Sequence, residues 1–246
     1  GVSAVERVIE GMRNDWQRTA YTTIAVPPVN ASSRCPLAAT HSLMSYQSPI
    51  SPGRSWYEET AGERPEYPPL PDETRADVAI VGGGFTGLSA AFHLARAGAD
   101  VVLVDAHRFG DGASGRNGGQ LGTGQRAWPE EMERDLGFTR AKALFDLAEE
   151  AKAHLLEFCA SQGIKVDYRS GQLSVAHKRR YVEAYRAHAD ILDERYGYPH
   201  LSFMEARETA ERLGSKRYFG GVRDTGTDHI HPLKLLIGMA RVASAS

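Results

Sequence analysis

The chain has 246 residues, of which 41% are hydrophobic and 24% charged, as in an ordinary globular protein. Lysine and arginine number 29 against 31 aspartates and glutamates, which gives a net charge of −2 and argues against a nucleic-acid-binding surface. We expect no membrane partner, because apolar runs such as 101–104 are far shorter than the roughly 20 residues that span a bilayer. The cysteines, Cys35 and Cys159, form no disulfide framework or metal motif, which favours a cytoplasmic location.

The first quarter of the chain has the composition of a segment outside a folded core. Residues 1–43 include an acid-poor, Ser- and Thr-rich stretch without a secretory apolar run, and we expect them to be a non-native or disordered leader. Residues 44–76 are rich in proline, which predicts an extended arm whose Trp56, Tyr57 and Tyr67 pack on a surface. The chain ends within a helical pattern that lacks a stop signal, so we expect the amino-terminal part of a longer protein.

A β-α-β unit begins at residue 77. The β-branched run DVAIVG (77–82) predicts a buried parallel strand. The segment TGLSAAFHLARAG predicts a helix with Leu88 and Phe92 on its apolar face, and DVVLVD (100–105) predicts the second strand. These elements predict an α/β fold of the Rossmann type.

Three glycines between the first strand and the helix, Gly82, Gly84 and Gly87, have the G-x-G-x-x-G spacing. In that pattern the first glycine allows the tight turn, the second lets a pyrophosphate approach the backbone, and the third lets helix and strand pack closely. Asp105 ends the second strand, where its carboxylate would accept hydrogen bonds from a ribose and repel a 2′-phosphate. We therefore expect a dinucleotide without a 2′-phosphate.

A second glycine-rich loop, AHRFGDGASGRNGGQLGTGQR (106–126), follows the second strand. A nicotinamide-binding domain would continue with a helix and a strand, whereas this loop can lie against a large flat ligand such as FAD. A flexible surface loop is the alternative interpretation. With FAD, Ser114 and the loop backbone would contact phosphate or ribityl oxygens, and Arg116, Asn117 and Gln120 would face the flavin ring.

Helices and strands alternate after this loop. The sequence predicts, in chain order, a helix beginning at Pro129, a long helix over 139–163, two strands within 164–177 on either side of Ser170-Gly171, a helix over 178–197, a strand over 218–226 and a helix beginning at Pro232. The apolar stripe of the long helix comprises Ala143, Leu144, Leu147, Ala151, Leu155 and Phe158. Ser202 and Glu205 have the spacing of a capping box, which predicts a helix start.

The segment 77–120, together with GQLSVAH (171–177) and GGVRDTGTDHIHPLKLLIGMARVA (220–243), resembles the amino-terminal flavin-binding region of the D-amino-acid-oxidase-like FAD-dependent oxidoreductases. Within that family it is most similar to the gamma-glutamylputrescine oxidase group. The resemblance runs from about Tyr46 to the end, and GASGRNGGQ with HIHPLK is its most specific part. It implies oxidation of an amine C–N bond, with a small-molecule amine and oxygen as partners and an imine and hydrogen peroxide as products.

The resemblance also implies a domain order. We expect a glutathione-reductase-like FAD-binding unit with the Gly-rich loop and helices over 77–162, part of an α+β substrate domain over 163–230, and a helix returning to the FAD domain over 231–246. The whole is truncated relative to the family. Two alternatives stay open: a flavin dehydrogenase of the same fold that passes electrons to a carrier, and a truncated, non-catalytic product.

Carried over residue by residue, the resemblance implies a site in two parts. The first turn would hold the pyrophosphate, the end of the second strand the adenosine ribose, and the loop would run towards the flavin. The expected cofactor-binding residues are Gly82, Gly84, Phe85, Thr86, Gly87, Asp105, Ala106, Ser114, Arg116, Asn117, Gly118, Gly119 and Gln120. No catalytic residue is assigned and no metal is expected. His229 and His231 are expected to be turn and cap residues before Pro232, and Asp228 replaces a usual glycine, which requires a negative φ there.

Overall fold

A computed structural model describes residues 55–70 and 74–246. Its helices and strands are, in chain order, α1 (Trp56–Thr60), β1 (Val78–Val81), α2 (Phe85–Arg96), β2 (Val101–Val104), β3 (Gln120–Leu121), α3 (Pro129–Leu136), α4 (Phe138–Ser161), β4 (Arg169–Val175), α5 (Val182–Tyr196), β5 (Leu201–Glu205), α6 (Ala206–Leu213), β6 (Gly220–His229) and α7 (Pro232–Ser244). Short 3-10 helices occupy Ala113–Gly115 and Arg179–Tyr181. The predicted leader, residues 1–43, lies outside the described residues, and the predicted domain boundaries stay predictions.

The predicted β-α-β unit is confirmed. β1 and β2 pair in parallel, with Val78 opposite Val101 and Val81 opposite Val104. Leu88 and Phe92 are buried on the inner face of α2, as their helical spacing predicts. None of the helices in the described part of the chain combines the length and apolar character that crossing a bilayer requires.

One face of this strand pair is uncovered. Ala79 and Val81 point to the same side of β1, both are exposed, and Val81 is 87% exposed. Within the described residues β1 and β2 form a two-stranded sheet, so β1 has one unpaired edge. Parallel sheets are ordinarily covered on both faces, which makes this apolar face an unusual surface.

The second sheet is antiparallel and is organised around the ten-residue strand β6. β4 pairs along the length of β6, whereas β5 and β3 pair with its two ends. The β3 pairing places Gln120 opposite His229 and Leu121 opposite Asp228. The end of the Gly-rich loop is thereby an integral strand of this sheet.

The prediction of two strands around Ser170-Gly171 is wrong, because β4 is one strand. Its register shifts between Ser170 and Gln172, so that residues 225–227 of β6 bulge opposite Gly171, which has a φ of +96°. The Asp224 carboxylate holds the bulge by accepting hydrogen bonds from the N–H groups at 226 and 227 over 2.9 and 3.0 Å. Glycine here bends the strand instead of ending it.

The capping box predicted at Ser202 is also wrong. Ser202 lies inside β5, where its hydroxyl donates to the Arg223 carbonyl oxygen over 3.4 Å. α6 begins four residues later, with Glu205 as an extended N-cap whose side chain makes no capping bond. Without β5, the backbone N–H and C=O groups along this edge of β6 would lack hydrogen-bond partners. The need to pair them outweighs the local helix signal at Ser202.

The residues of the apolar stripe predicted for the long helix α4 are only partly buried in the core. Its fully buried residues are Ala141, Phe145 and Cys159. Of the stripe, Leu155 and Phe158 are half-buried and Ala151, Leu155 and Phe158 line a cavity. The core proper lies between α2 and α7, and its buried members include Leu88, Ile230, Leu235, Leu236 and Met239.

The described part of the arm, residues 55–70 and 74–76, is not extended throughout. α1 forms because Ser55 caps it, its Oγ accepting from the Glu58 N–H over 3.1 Å. The predicted packing of Trp56 is wrong, since 75% of this residue is exposed. Tyr57 lies with its ring centroid 4.9 Å from that of His231, and the Tyr67 ring lies 5.1 Å from Phe109.

An ion pair network fastens the arm to the Gly-rich loop. The Arg64 guanidinium contacts Glu58 at 2.9 Å and Asp111 at 2.8 Å, and it also donates to the Phe109 carbonyl oxygen. Burial acts to raise the pKa of Asp111, but the hydrogen bond and charge of Arg64 outweigh it and lower the pKa. The Arg64 side chain is only 8% exposed, so these partners replace water at its two terminal nitrogens, while its Nε has no hydrogen-bond partner among the described residues.

His231 joins the arm to α7, and its predicted capping role is confirmed. Its Nδ1 accepts from the Lys234 N–H over 3.1 Å, which assigns the proton of a neutral ring to Nε2. Nε2 then donates to Thr60 Oγ1 over 3.0 Å, and that hydroxyl donates to the Trp56 carbonyl oxygen over 2.6 Å. Burial and the Lys234 charge lower the pKa of His231.

The first prediction concerns Gly87. A Cβ added there would lie 2.0 Å from the Gly82 carbonyl oxygen, whereas one added to Gly112 would meet no atom within 4 Å. We expect Gly87→Ala to lower the free energy of unfolding by about 1–3 kcal/mol despite the better helix propensity of alanine, and Gly112→Ala to change it by less than about 0.5 kcal/mol. Urea titrations of both variants provide the measurement, and equal losses would contradict the packing described.

The second prediction concerns pH. Because the folded-state pKa of His231 is lowered, protonation favours the unfolded chain, whose histidine has a pKa of about 6.5. The contribution of His231 to stability is therefore complete above about pH 6.5 and is lost as the pH falls, by at most about 1.4 kcal/mol per unit. His231→Asn keeps an N-cap without titrating. Unfolding curves between pH 7 and 5 should be flatter for this variant than for the wild type or for exposed His177→Asn, and parallel curves would disprove the assignment.

Candidate functional site

The turn between β1 and α2 is open on one side and closely packed on the other. Gly82 has a φ of +102°, and no atom lies within 4 Å of where its Cβ would be. On the packed side, the Gly87 Cα lies against the Gly82 carbonyl, so that only hydrogen fits. Gly84 is the extended N-cap of α2 and has no side chain to cover the helix end. A ligand can therefore reach the backbone at Gly82 directly, whereas Ser114 Oγ lies 3.0 Å from where a Cβ of Gly84 would be.

The first turn of α2 presents hydrogen-bond donors to this opening. The Phe85 N–H donates to Ser114 Oγ over 3.2 Å, while the N–H groups of Thr86 and Gly87 lack an acceptor within the helix because of their place in its first turn. The Ser114 hydroxyl keeps its own proton for donation. Together with the positive end of the helix dipole, these groups can bind an anionic oxygen such as that of a phosphate.

Asp105 holds the same turn from the end of β2. Its Oδ2 accepts from the Gly83 N–H over 2.7 Å and its Oδ1 accepts from the His107 N–H over 2.9 Å. A carboxylate has about four acceptor positions, so capacity remains for the hydroxyls of a ribose. Sequence reasoning anticipated a ligand contact for Asp105 but not this support of the turn. Ala106 follows it as an exposed residue.

The Gly-rich loop is held in shape by Asn117. The Asn117 Nδ2 donates to the carbonyl oxygens of Ser114 and Ala113 over 2.9 and 3.3 Å, and its Oδ1 accepts from the Gly119 N–H over 2.8 Å. Gly119 has a φ of +68°, and a Cβ there would lie 2.0 Å from the Ile230 carbonyl oxygen. The amide that was expected to face a ring is thus engaged by the backbone of its own loop.

The remaining predicted loop residues lie along the same path. Arg116 is half-buried, and its side chain makes no hydrogen bond or ion pair within the described ranges. Gly118 is exposed, and Gln120 begins β3. The loop therefore presents mainly backbone, with Arg116 and Gln120 as polar side chains.

Two cavities meet at Gln120, which lines both. The first, of about 410 Å³, is mostly apolar and is bounded by α2, α4, α7 and the loop, with Phe85, Asn117, Gly119, Leu155, Phe158 and Met239 among its lining residues. The second, of about 470 Å³, lies between the antiparallel sheet and α5, with Thr123, Arg126, Trp128, Gln172, His188 and Asp224 among its lining residues. No group of three or more metal-binding side chains occurs within residues 55–70 and 74–246.

A buried polar network that sequence reasoning missed forms one wall of the second cavity. The Tyr198 hydroxyl donates to Asp224 Oδ1 over 2.7 Å and lies 2.5 Å from Thr123 Oγ1. Burial, reinforced by Asp224, raises the pKa of Tyr198. Lys152 contacts Glu149 at 2.7 Å and donates to the carbonyl oxygen at 226. These residues come from four distant segments, so no local pattern could have revealed the network.

Asp228 illustrates how the second sheet accommodates a departure from the family pattern. It lies in β6 opposite Ser170 and Leu121, with a negative φ as required, since Asp167 is the non-glycine residue of positive φ among those described. It is 5% exposed, and its Oδ1 accepts from the Tyr168 hydroxyl over 2.7 Å. The carboxylate is therefore satisfied by a partner and causes no backbone strain.

Comparisons with known proteins agree with this architecture. The chain is 58% identical over 201 residues to a probable oxidoreductase OrdL of Rhizobium meliloti, covering 82% of this chain and 47% of the relative. It is 38% identical over 186 residues to the gamma-glutamylputrescine oxidoreductase of Escherichia coli, covering 76% and 43%. Glycine oxidase from Geobacillus kaustophilus has a similar fold, with a TM-score of 0.54 at 24% identity over 69% of this chain and 44% of that one.

The family of this chain is assigned by its match to the sequence model of a protein family. The chain spans about half the length of the curated relatives that it matches. The model of the family described as "DAO: FAD dependent oxidoreductase" matches residues 77–246, which is more than half of the chain. The chain therefore belongs to the DAO family of FAD-dependent oxidoreductases.

Proposed function

We propose that this chain forms the FAD-holding part of an enzyme that oxidises the C–N bond of an amine. The observation that carries the proposal is the pairing of an open, anion-binding first turn with a rigid second loop that ends at a cavity. Family membership supports FAD as the ligand, and the geometry fits it, because Gly82 leaves the turn backbone free to approach a pyrophosphate and the Ser114 hydroxyl lies beside Gly84 as a further donor.

The roles proposed for the residues follow from their donors and acceptors. Gly82, Gly84, Phe85, Thr86 and Gly87 would form the pyrophosphate cradle, with Asp105 and Ala106 beside the adenosine ribose. The Ser114 hydroxyl would donate a hydrogen bond to a phosphate or ribityl oxygen. The proposed flavin-side residues are Arg116, Asn117, Gly118, Gly119 and Gln120, with Asn117 acting as a positioning residue that fixes the loop. When bound, FAD supplies the hydride acceptor of the reaction.

The relatives guide the choice of substrate and electron acceptor. The E. coli relative is named for gamma-glutamylputrescine, and a glycine oxidase shares the fold, so we propose a primary or secondary amine as substrate. Oxidation would give an imine, and transfer of the two electrons to oxygen would give hydrogen peroxide. We also propose a cytoplasmic location, supported by the free, buried thiol of Cys159.

The third prediction tests the cofactor site through two aspartates that both accept backbone N–H groups in the same β-α-β unit. Asp105 lies at the cradle, whereas Asp77 accepts from the Asp100 N–H at the opposite end of β1. We expect Asp105→Asn to weaken FAD binding about tenfold, the equivalent of one charged hydrogen bond, and Asp77→Asn to leave it within about twofold. Fluorescence titration with FAD measures both, and equal effects would place the adenosine end elsewhere.

The reaction itself is tested with the FAD-loaded protein. Anaerobic addition of gamma-glutamylputrescine or another amine should bleach the visible flavin band, and admission of oxygen should restore it with formation of hydrogen peroxide. Recovery only with an artificial electron carrier would identify a dehydrogenase. Retained flavin that no amine bleaches would contradict the proposed reaction.

A further inference from the structure

The cavity between the antiparallel sheet and α5 has a charge pattern that indicates a ligand. We propose that it binds the far end of an amine substrate that carries a carboxylate, and that Arg126 recognises this carboxylate. The inference rests on the proposed function, since it deepens the choice of substrate. It makes Arg126 a specificity-determining residue within the chain.

The position of the cavity supports this role. Gln120 lines both this cavity and the apolar one beside Gly119, so a ligand whose reacting end lies near Gln120 can extend into the second space. The volume of about 470 Å³ lies in the range of small-molecule sites. Arg126 lies six residues beyond Gln120, and it lines the same cavity.

Two charged groups of the lining have no counter-ion among the described residues, Asp224 and Arg126, and of these only Arg126 also lacks hydrogen-bond partners. The Asp224 carboxylate already accepts from the Tyr198 hydroxyl and from both the N–H and the hydroxyl of Thr227. His188 is paired with Glu130 at 3.1 Å. Arg126 is exposed and makes no hydrogen bond or ion pair within the part of the chain that the structure describes. A guanidinium in a cavity is suited to bidentate binding of a carboxylate.

The aromatic and neutral polar residues of the cavity lining can contact the aliphatic chain and the amide of such a substrate. Trp128 is 43% exposed, stacks on His188 with centroids 4.5 Å apart and lies 6.2 Å from the Tyr185 ring. These rings can pack against an aliphatic chain, and the neutral groups of Gln172 and Ser174 can bind an amide. A plain diamine would bring a second positive charge towards Arg126 with no carboxylate beside it, which disfavours it.

These features select a class of ligand. A gamma-glutamyl amide of a diamine has a free amine at one end, an amide in the middle, and an α-carboxylate with an α-ammonium group at the other end. N-Acetylputrescine has the same amine and amide but lacks the carboxylate. N-Acetylputrescine also lacks the α-ammonium group and two carbons of the glutamyl chain, so the pair tests recognition of the whole glutamyl end, and the Arg126 variant tests the share that the carboxylate contributes.

The fourth prediction is tested by calorimetric binding of these two ligands to the full chain, with and without FAD. We expect gamma-glutamylputrescine to bind at least tenfold more tightly than N-acetylputrescine, and Arg126→Gln to remove this preference without weakening the binding of N-acetylputrescine. The matched control is Arg223→Gln. Arg223 is an exposed arginine of the same sheet, and strand alternation points it away from the cavity lined by Val222 and Asp224.

The outcomes separate this inference from the proposed function. Equal binding of the two ligands, an unchanged preference in Arg126→Gln, or an equal loss in Arg223→Gln would overturn the role of Arg126, whether or not FAD binds or an amine is oxidised. Failure of the proposed function shows itself differently, as absence of FAD binding or of amine-dependent bleaching. Arg126-dependent binding of the carboxylate ligand supports the inference in either case.

Discussion

The close approach of the Gly119 and Ile230 backbones is the contact on which the rest of the structure depends. The Ile230 N–H donates to the Gly119 carbonyl oxygen over 2.8 Å, and the neighbouring Ile230 carbonyl leaves no room for a side chain at 119. The contact lies where β3 joins β6 and immediately before the His231 cap of α7. Because α7 then buries Leu236 in one cluster with Leu88 of α2, a single glycine links the cofactor turn to the second sheet.

Features that depend on a few neighbouring residues could be predicted from the sequence. The β-branched runs of β1 and β2 and the glycines at 82 and 87 act locally, and they form the elements and close packing expected of them. His231 was expected to cap α7 because it directly precedes Pro232, and its Nδ1 does so. The family resemblance added the identity of the cofactor, which no spacing of glycines alone specifies.

Features that depend on distant segments could not be predicted. Ser202 carries a local helix signal, but the open edge of β6 converts its segment into a strand. The Arg64–Asp111 ion pair joins residues 47 positions apart, so the sequence around either residue does not predict it. Asn117 is the instructive case within the site: its residue type suggested a ligand contact, yet three hydrogen bonds engage its amide within the loop. Both interpretations use the same polar group, and only the fold decides between them.

The engagement of Asn117 has an entropic consequence. A glycine-rich loop has more backbone freedom to lose than any other segment of comparable length, at roughly 1–2 kcal/mol for each residue that becomes ordered. Because the Asn117 amide and the Ile230 backbone already order the loop in the folded chain, that loss accompanies folding and does not recur when a ligand arrives. The free energy of ligand binding at this site then depends on the contacts that the ligand makes, because the entropy cost of ordering the loop during binding is small.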